Sequence, residues 1–266
     1  MAGERKDVWA AGNLYEPYVG RWSRLVGKEL LTWLRVSSRR DWLDVGCGTG
    51  ALTEVILHHA DPSSVTGIDL SPGFIEYAKT HVADPRASFQ VGDAQSLPVD
   101  QARFHVAVAA LVLNFVPQPL RAVAEMTRAV RSGEAVAAYV WDYAGKMEMM
   151  RYFWDAAMAL DPAARDLDEG RRFPICQPGP LTALFAQIGL RDIDVRAIDV
   201  PTHFRDFDDY WSPFLGGQAP APGYAMSLNE ERRSTLRERI RAALPVSKDG
   251  GIDLVARAWA VRGRAP

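Results

Sequence analysis

The sequence has few of the residues that hold metals or form disulfides. Among 266 residues there are 2 cysteines and 5 histidines. Cys47 and Cys176 lie in different regions of the chain, and neither has neighbours at metal-ligand spacing. This scarcity argues against a disulfide framework and against a zinc site. We therefore predict a protein of a reducing compartment that holds no metal.

The sequence also lacks a surplus of one charge and a long apolar run. Lysine and arginine total 31 and aspartate and glutamate total 33, so the formal net charge is -2. Nucleic-acid-binding proteins usually carry a marked basic surplus, so we expect no nucleic-acid partner. The apolar stretch 106–120 is too short and too interrupted by proline to cross a bilayer. These features predict a cytoplasmic protein, monomer or homodimer, with no membrane partner.

The most informative stretch that is present is a glycine-rich turn after a short apolar strand. The strand covers residues 41–45, and Gly46, Gly48 and Gly50 follow at every second position. Glycine allows positive φ and lets a ligand approach the main chain closely. A helix that starts at residue 51 would point unpaired N–H groups at such a ligand. The turn therefore predicts a cofactor loop.

Two cofactor classes compete for this loop. Dinucleotide sites usually space their glycines as G-x-G-x-x-G and hold a pyrophosphate. Here the spacing is D-x-G-x-G-x-G, and the acid is Asp44. A carboxylate at this point disfavours two phosphates and suits a ligand with an ammonium group and no phosphate, such as S-adenosylmethionine.

Further acids follow the next two predicted strands. Asp69 ends the strand 65–69, where a carboxylate can accept hydrogen bonds from both ribose hydroxyls of an adenosine. Asp93 follows the strand 87–91, where it can accept from the adenine amine, with the Ala94 N–H near a ring nitrogen. A fourth strand at 106–113, a helix at 119–130 and a fifth strand at 135–141 complete the first half of the chain.

Four segments in this order resemble the class I S-adenosylmethionine-dependent methyltransferases. They are LDVGCGTG, VTGIDLS, VGDAQSLP and the block from Phe104 to Trp141. The closest resemblance is to the small-molecule type, similar to the methyltransferases of ubiquinone and menaquinone biosynthesis. It implies an α/β fold with a Rossmann-like, seven-stranded, mostly parallel sheet, helices on both faces, an antiparallel last strand and helical cap insertions. It also implies S-adenosylmethionine as cofactor and S-adenosylhomocysteine as product.

The resemblance assigns cofactor contacts position by position. These are Asp44, Gly46 and Gly48 along the methionine portion with Cys47 between them, Asp69 at the ribose, Leu70 beside the adenine, Asp93 and Ala94 at its edge, and Leu111 on the opposite side. In related enzymes the N-terminal segment closes over the cofactor, and here it presents Tyr15, Tyr18 and Arg21 at helical spacing. We expect Tyr15 at the cofactor and hypothesise that Arg21 pairs with the methionine carboxylate.

The whole chain is predicted to form a single methyltransferase domain, residues 1–266. Its parts are an N-terminal helical lid (1–40), a cofactor-binding core (41–142), helical cap insertions (143–190 and 204–250) and the remaining strands (191–203 and 251–262). Within the second insertion we expect a loop or hinge at 215–224. After it we expect a helix that opens with a capping box at residues 227–230.

The reacting group of the substrate should face residues that follow the later strands, because ligands sit beyond the carboxyl ends of parallel strands. This rule selects Asn114, Asp142, Tyr143 and His203, the last of which follows a predicted sixth strand at 193–200. His203, Tyr143 and Asp142 are the candidate bases. A base is optional, because methyl transfer is an in-line displacement that depends mainly on alignment and exclusion of water.

Aromatic residues in the lid and the insertions predict an acceptor that is small and partly apolar or aromatic, methylated at an O, N or C atom. Three alternatives stay open at the level of the sequence. They are a module that binds S-adenosylmethionine without catalysis, an NAD(P)-dependent oxidoreductase, and a methyltransferase acting on RNA or protein. Fold resemblance does not exclude the first of these.

Overall fold

The computed structural model describes residues 20–217 and 219–266, and within them seven strands form one sheet. The strands are β1 (Asp41–Val45), β2 (Ser64–Asp69), β3 (Ala87–Val91), β4 (Phe104–Ala110), β5 (Val130–Trp141), β6 (Arg191–Phe204) and β7 (Ile252–Arg264). The helices are α1 (Arg21–Leu34), α2 (Ala51–His59), α3 (Pro72–His81), α4 (Pro119–Ala129), α5 (Glu148–Leu160), α6 (Glu169–Arg172), α7 (Pro178–Gln187), α8 (Phe207–Trp211), α9 (Pro220–Ser227) and α10 (Glu230–Ala243). Short 3₁₀ turns cover Pro162–Asp166 and Ser212–Gly216.

The strand order is β3-β2-β1-β4-β5-β7-β6. The first five strands in this order run parallel to one another, whereas β7 is antiparallel to both of its neighbours, β5 and β6. The predicted α/β fold with a mostly parallel sheet and an antiparallel last strand is therefore confirmed. Since the carboxyl ends of parallel strands meet at one edge, the segments that follow β1 to β5 open on the same side.

The core lies on both faces of the central strands, which explains why these strands read as continuous apolar runs. In β4, Val106, Ala107 and Val108 are at most 1% exposed, and β1 buries Leu43 completely. The helix α1 buries Trp22, Val26 and Leu30, four residues apart, against α2, β6 and β7. Each fully buried Val or Leu side chain contributes about 1.5–3 kcal/mol. This stripe holds α1 against α2 and the last two strands of the sheet.

The segments between β5 and β6 and between β6 and β7 pack an aromatic cluster of their own. Phe153 of α5 stacks on Phe214 with ring centroids 4.6 Å apart. The buried Tyr210 donates its hydroxyl hydrogen to the carbonyl oxygen of Met149 at 2.7 Å. Most aromatic residues of the insertions therefore serve packing within the insertions.

Two local predictions in the second insertion were wrong. Much of the predicted loop 215–224 is the helix α9, since Pro220 stands at its first position, where proline is tolerated. The capping box at 227–230 does not form, because Ser227 ends α9 and donates to the carbonyl oxygen of Tyr224. Asn229 caps α10 instead, accepting from the Arg232 N–H at 2.9 Å.

Among residues 20–217 and 219–266, no helix combines the length and the hydrophobicity that crossing a membrane requires. The same residues contain no group of three or more His, Cys, Asp or Glu side chains arranged to hold a metal ion. Cys47 and Cys176 are buried, free thiols.

Candidate active site

A cavity of about 480 Å³ opens where the strands end. Small-molecule sites typically measure roughly 300–1,000 Å³. Its lining follows the strand order β3-β2-β1-β4-β5, so the residues after β3 and those on β5 lie about four strand spacings, or roughly 19 Å, apart. We call Asp44, Asp69 and Asp93 the acidic end of the cavity. We call Phe115, Tyr139, Trp141 and Tyr143 its aromatic end.

The glycine turn after β1 forms the floor of the acidic end. The N–H groups of Gly46 and Cys47 donate to the carbonyl oxygen of Ile68, at 2.7 and 3.0 Å, and tie the turn to β2. Gly46 has φ +69°, and a Cβ atom added there would lie 2.5 Å from Cγ2 of Val112. Gly48 has φ +52°, and an added Cβ would meet nothing within 4 Å. Gly46 therefore permits close packing, whereas Gly48 exposes its backbone to a ligand.

Asp44 is a buried carboxylate at the centre of the cavity wall. It is 0% exposed, and one of its oxygens, Oδ2, accepts from the Thr53 hydroxyl at 2.7 Å. The other oxygen, Oδ1, is buried without a hydrogen-bond partner. Burial raises the pKa of Asp44 to about 7, helped by the negative charge of Asp69 and opposed by the Thr53 hydrogen bonds. A positively charged ligand would stabilise the ionised form of this side chain.

Asp69 is oriented by the backbone around it. Its carboxylate accepts from the Gly48 N–H at 3.0 Å and from the Ser71 N–H at 2.8 Å. Burial raises the pKa of Asp69, and these two hydrogen bonds oppose the rise. Asp93 accepts from the Gln95 N–H at 2.8 Å, and Leu70 stands 70% exposed at the rim. Two carboxylates at the ends of β2 and β3 are thus held in fixed directions.

Leu111 follows β4 with a positive φ of +59°, which is uncommon for a residue other than glycine. Its N–H donates to the carbonyl oxygen of Tyr139 at 2.8 Å, so pairing with β5 maintains this conformation. Strained residues of this kind often occur at ligand sites. With Leu111, one cavity brings together all nine core positions that the resemblance assigned to the cofactor: Asp44, Gly46, Cys47, Gly48, Asp69, Leu70, Asp93, Ala94 and Leu111.

Two of the three candidate bases do not reach the cavity. Tyr143 lines it, but Asp142 does not; the buried Asp142 carboxylate turns back and accepts from the Lys146 N–H at 3.0 Å. His203 also lies outside the lining, with its side chain 61% exposed and Nδ1 2.8 Å from the Asp253 carboxylate.

The position of His203 follows from the length of β6. Ala258 of β7 pairs with both Trp141 and Ile198, so Ile198 is level with the last residue of β5. The strand was predicted to end at Val200, but it continues to Phe204. His203 therefore lies five residues beyond the level at which β5 ends, a distance of about 17 Å along a strand. The selection of His203 as a base is corrected accordingly.

Arg21 lies outside the cavity lining and is engaged elsewhere. Its Nη1 donates to Asp209 at 3.2 Å, and the guanidinium lies over the rings of Trp22 and Phe204, at 4.3 and 4.8 Å from their centroids. These contacts join the start of α1 to the segment after β6. Tyr15 falls outside the described residues.

The sequence reasoning did not select several lining residues: Ser23, Phe115, Tyr139 and Trp141. A signal for two of them exists, because Tyr139 and Trp141 stand two residues apart within β5 and so share one face. Ser23 has no such signal, since it reaches the cavity only through the packing of α1. Its carbonyl oxygen accepts from the Tyr139 hydroxyl at 3.3 Å.

Residues 43–138 match the Methyltransferase domain family, which confirms the resemblance seen in the sequence. A malonyl-[acyl-carrier protein] O-methyltransferase of Hahella chejuensis is 33% identical over 47% of this chain and 44% of its own length. A ubiquinone biosynthesis O-methyltransferase of Coxiella burnetii is 33% identical over 50% of this chain and 51% of its own. The chain thus spans about half the length of these curated relatives.

Solved structures support the fold. A phosphoethanolamine N-methyltransferase 2 of Haemonchus contortus, determined with S-adenosylhomocysteine, superposes with a TM-score of 0.60. The match covers 95% of this chain and 58% of the other at 12% identity, so the likeness concerns the fold.

Proposed function

We propose that this chain, whose residues 43–138 carry a methyltransferase domain, transfers the methyl group of S-adenosylmethionine to an O, N or C atom of a small molecule. The observation that carries the proposal is a single cavity with oriented carboxylates at one end and aromatic rings at the other. The first end suits the donor and the second suits a partly apolar or aromatic acceptor. The names of the curated relatives agree with methyl transfer.

The residues at the acidic end fit this cofactor. The unpartnered Oδ1 of Asp44 is a buried acceptor, and cationic groups of the cofactor would offset its charge. The open space above Gly48 allows close approach to the main chain. In this proposal Asp69 binds the ribose, while Asp93 and Ala94 bind the adenine. The cofactor supplies an activated methyl group, and the protein orients it.

The aromatic end is proposed to hold the acceptor. Reacting atoms held about 3–3.5 Å apart gain most of the acceleration from alignment and from the exclusion of water. Tyr143 stays a candidate for proton transfer, because its side chain lines the cavity. Asp142 and His203 are not proposed, since neither lines the cavity.

An oxidoreductase is less well supported. A buried carboxylate with an unpartnered oxygen lies beside the glycine turn, where a dinucleotide would need to place its pyrophosphate. The electrostatic repulsion between Asp44 and two phosphates disfavours such a ligand.

Calorimetric titration tests the proposal. S-adenosylmethionine and S-adenosylhomocysteine should bind the purified protein, whereas NADH and NADPH should not. Asp69→Ala should weaken both complexes by at least about tenfold, because it removes a charged hydrogen-bond acceptor. Asp253→Ala is the matched control, since that carboxylate is exposed and remote from the cavity lining. Binding of a nicotinamide cofactor instead, or no effect of Asp69→Ala, would contradict the proposal.

A second measurement separates catalysis from binding. Transfer of a radiolabelled methyl group to small amines, phenols and carboxylic acids should occur with the intact chain. Cofactor binding without transfer to any member of the panel would favour a module that senses or sequesters the cofactor. Other expectations remain predictions: the cytoplasmic location, the monomeric or homodimeric state, the absence of nucleic-acid and membrane partners, and the division into lid, core and cap.

A further inference from the structure

The aromatic end of the cavity is a shielded, ring-walled space. Tyr139 and Trp141 stand two residues apart on β5 and so point to the same face, and Tyr143, in the turn after β5, lines the same cavity. They are 1%, 1% and 6% exposed, and Phe115 adds a fourth ring from the segment after β4. The Tyr139 hydroxyl donates to the carbonyl oxygen of Ser23 and so joins this wall to α1. The rings at this end therefore present almost no surface to bulk water.

The charges of the cavity belong to its other end. The titratable side chains among the described lining residues are those of Asp44, Asp69, Asp93, Cys47, Tyr139 and Tyr143. No lysine, arginine or histidine occurs among them. Of the three carboxylates, that of Asp44 is closest to the aromatic end in the strand order. It lies on β1, which is two strand spacings, or about 10 Å, from β5. The described lining therefore offers no cationic side chain to an acceptor.

Burial in such a space changes which acceptors are nucleophiles. Removal from water favours the neutral form of every titratable group, so it lowers the pKa of an amine and raises the pKa of a phenol or a carboxylic acid. The neutral form of an amine has the reactive lone pair. Neutral phenols and carboxylic acids are poor nucleophiles, so they would depend on a base such as Tyr143 or on a cation beside them, whereas a neutral amine needs neither.

The charge balance of the reaction also favours an amine as the acceptor. The nitrogen lone pair forms the new N–C bond, the S–C bond of the donor breaks, and its electron pair stays on sulfur as the thioether product. Positive charge passes from sulfur to nitrogen, and the resulting ammonium then releases a proton to water. Transfer to a phenolate or carboxylate would instead require an anion at the aromatic end, where the described lining supplies no cationic side chain to stabilise it. Aromatic ring faces also attract the cation that forms on nitrogen.

We propose that the methyl acceptor is an amine carried on an aromatic or apolar skeleton, and that the aromatic end, whose described lining has ring walls and no cationic side chain, selects it over phenols and carboxylates. This inference rests on the proposed methyl transfer from S-adenosylmethionine. It is independent of the O-methyltransferase names of the curated relatives.

Three probes of nearly equal size test the selection: phenethylamine, para-ethylphenol and phenylacetate. With radiolabelled S-adenosylmethionine, kcat/KM for the amine should exceed that for either other probe by at least about tenfold, the effect of one pKa unit on the reactive fraction. Tyramine carries both groups on one skeleton and should give N-methyltyramine as the main product by mass spectrometry. Equal or faster methylation of the phenol or the carboxylate would overturn the inference.

Calorimetry gives a readout that does not depend on turnover. The complex with S-adenosylhomocysteine should bind phenethylamine, and the binding enthalpy should change with the ionisation enthalpy of the buffer, because the neutral amine enters and a proton is released. Phenylacetate should bind at least about tenfold more weakly. An amine that neither binds nor is methylated, while the cofactor binds, would overturn the inference and leave the cofactor proposal standing. Failure of the cofactor to bind would instead remove the proposed function.

A histidine at the aromatic end should shift the preference from the amine toward the phenol. Phe115→His adds a base to the aromatic end and should raise the rate with para-ethylphenol by at least about tenfold, whereas the rate with phenethylamine should change less. Val91→His makes a comparable substitution at an exposed position outside the cavity lining and is the matched control. Equal changes with both probes, or the same change in both variants, would count against the proposal.

Discussion

Asp44→Asn is the substitution from which the structure predicts the most specific result. The wild-type carboxylate is fully buried, accepts from Thr53 through Oδ2 and leaves Oδ1 unpartnered. The asparagine side chain has nearly the same shape but no titratable proton. The substitution therefore removes a charge without opening a cavity.

The magnitude follows from the pKa of Asp44, which burial raises from 3.8 to about 7. Each pKa unit corresponds to about 1.36 kcal/mol, so the ionised carboxylate destabilises the empty folded protein by about 4 kcal/mol. Because the folded-state pKa lies above the unfolded-state value, this cost is absent below about pH 4, grows as the pH rises, and is complete above about pH 7. Asp44→Asn should remove this part of the pH dependence.

A cationic ligand should offset that cost and release the proton from Asp44. The affinity for S-adenosylmethionine should therefore rise with pH by up to about tenfold per unit between about pH 5 and 7 and then level off. The affinity of Asp44→Asn at the same pH is the right reference, because that variant keeps the other titratable groups of the site.

Calorimetric titration of the wild type and Asp44→Asn with S-adenosylmethionine at several pH values measures the ratio of the two affinities directly. Thr53→Val provides an internal check: loss of the hydroxyl donor removes a contact that lowers the Asp44 pKa, so the levelling-off should move to higher pH. A ratio of wild-type to Asp44→Asn affinity that is independent of pH would refute the reasoning.

Two further predictions concern stability and use matched pairs of variants in denaturant unfolding. Gly46→Ala and Gly133→Ala both place a Cβ atom at positive φ, but only the Cβ at residue 46 meets a neighbour, at 2.5 Å. Gly46→Ala should therefore lower the free energy of unfolding by about 1–3 kcal/mol more than Gly133→Ala. Equal losses in the two variants would disprove this account. Asn114→Leu and Thr202→Val each remove buried polar atoms that have no partner; both should raise the free energy of unfolding by about 1 kcal/mol, and a lowered midpoint in either would contradict the expectation.

Much of the fold could be predicted because its signals are local. The strands 41–45 and 87–91 have the predicted bounds, and the first helix after the glycine turn starts at residue 51 as predicted, since apolar runs end at glycines or turn residues there. The strand β5 was predicted to start at residue 135 because Gly133 reads as a break. It starts at Val130 instead, opposite an irregular register in β4, and Gly133 takes a φ of +77° within the strand.

The length of β6 could not be predicted because Pro201 reads as a strand terminator. β6 is an edge strand of the sheet, where a missing N–H is tolerated. Burial alternates through Ile198, Val200, Thr202 and Phe204, so the period of two continues past the proline. Because the polar Thr202 occupies one of these buried positions, the apolar residues of the sequence do not alternate without interruption.

The two ends of the cavity differ in how far the sequence determines them. At the acidic end, each residue follows its own strand within a few positions, so motif and spacing suffice. At the aromatic end, Ser23, Phe115 and Tyr139 come from distant segments and meet only through the sheet order and the packing of α1. Whether Asp142 or Tyr143 faces the cavity depends on the conformation of the turn that follows β5, which the position of the strand end does not determine.

The contacts of Arg21 connect the start of α1 to the end of β6 and the segment that follows it. The Trp22 and Phe204 rings meet edge to face at 5.5 Å, and the ion pair with Asp209 lies beside them. A displacement of α1 should therefore also move the end of β6, and Ser23, the residue after Trp22, moves with it. Because Ser23 lines the cavity and its carbonyl oxygen accepts from Tyr139, substitutions at these contacts should alter the shape of the cavity where α1 meets β5.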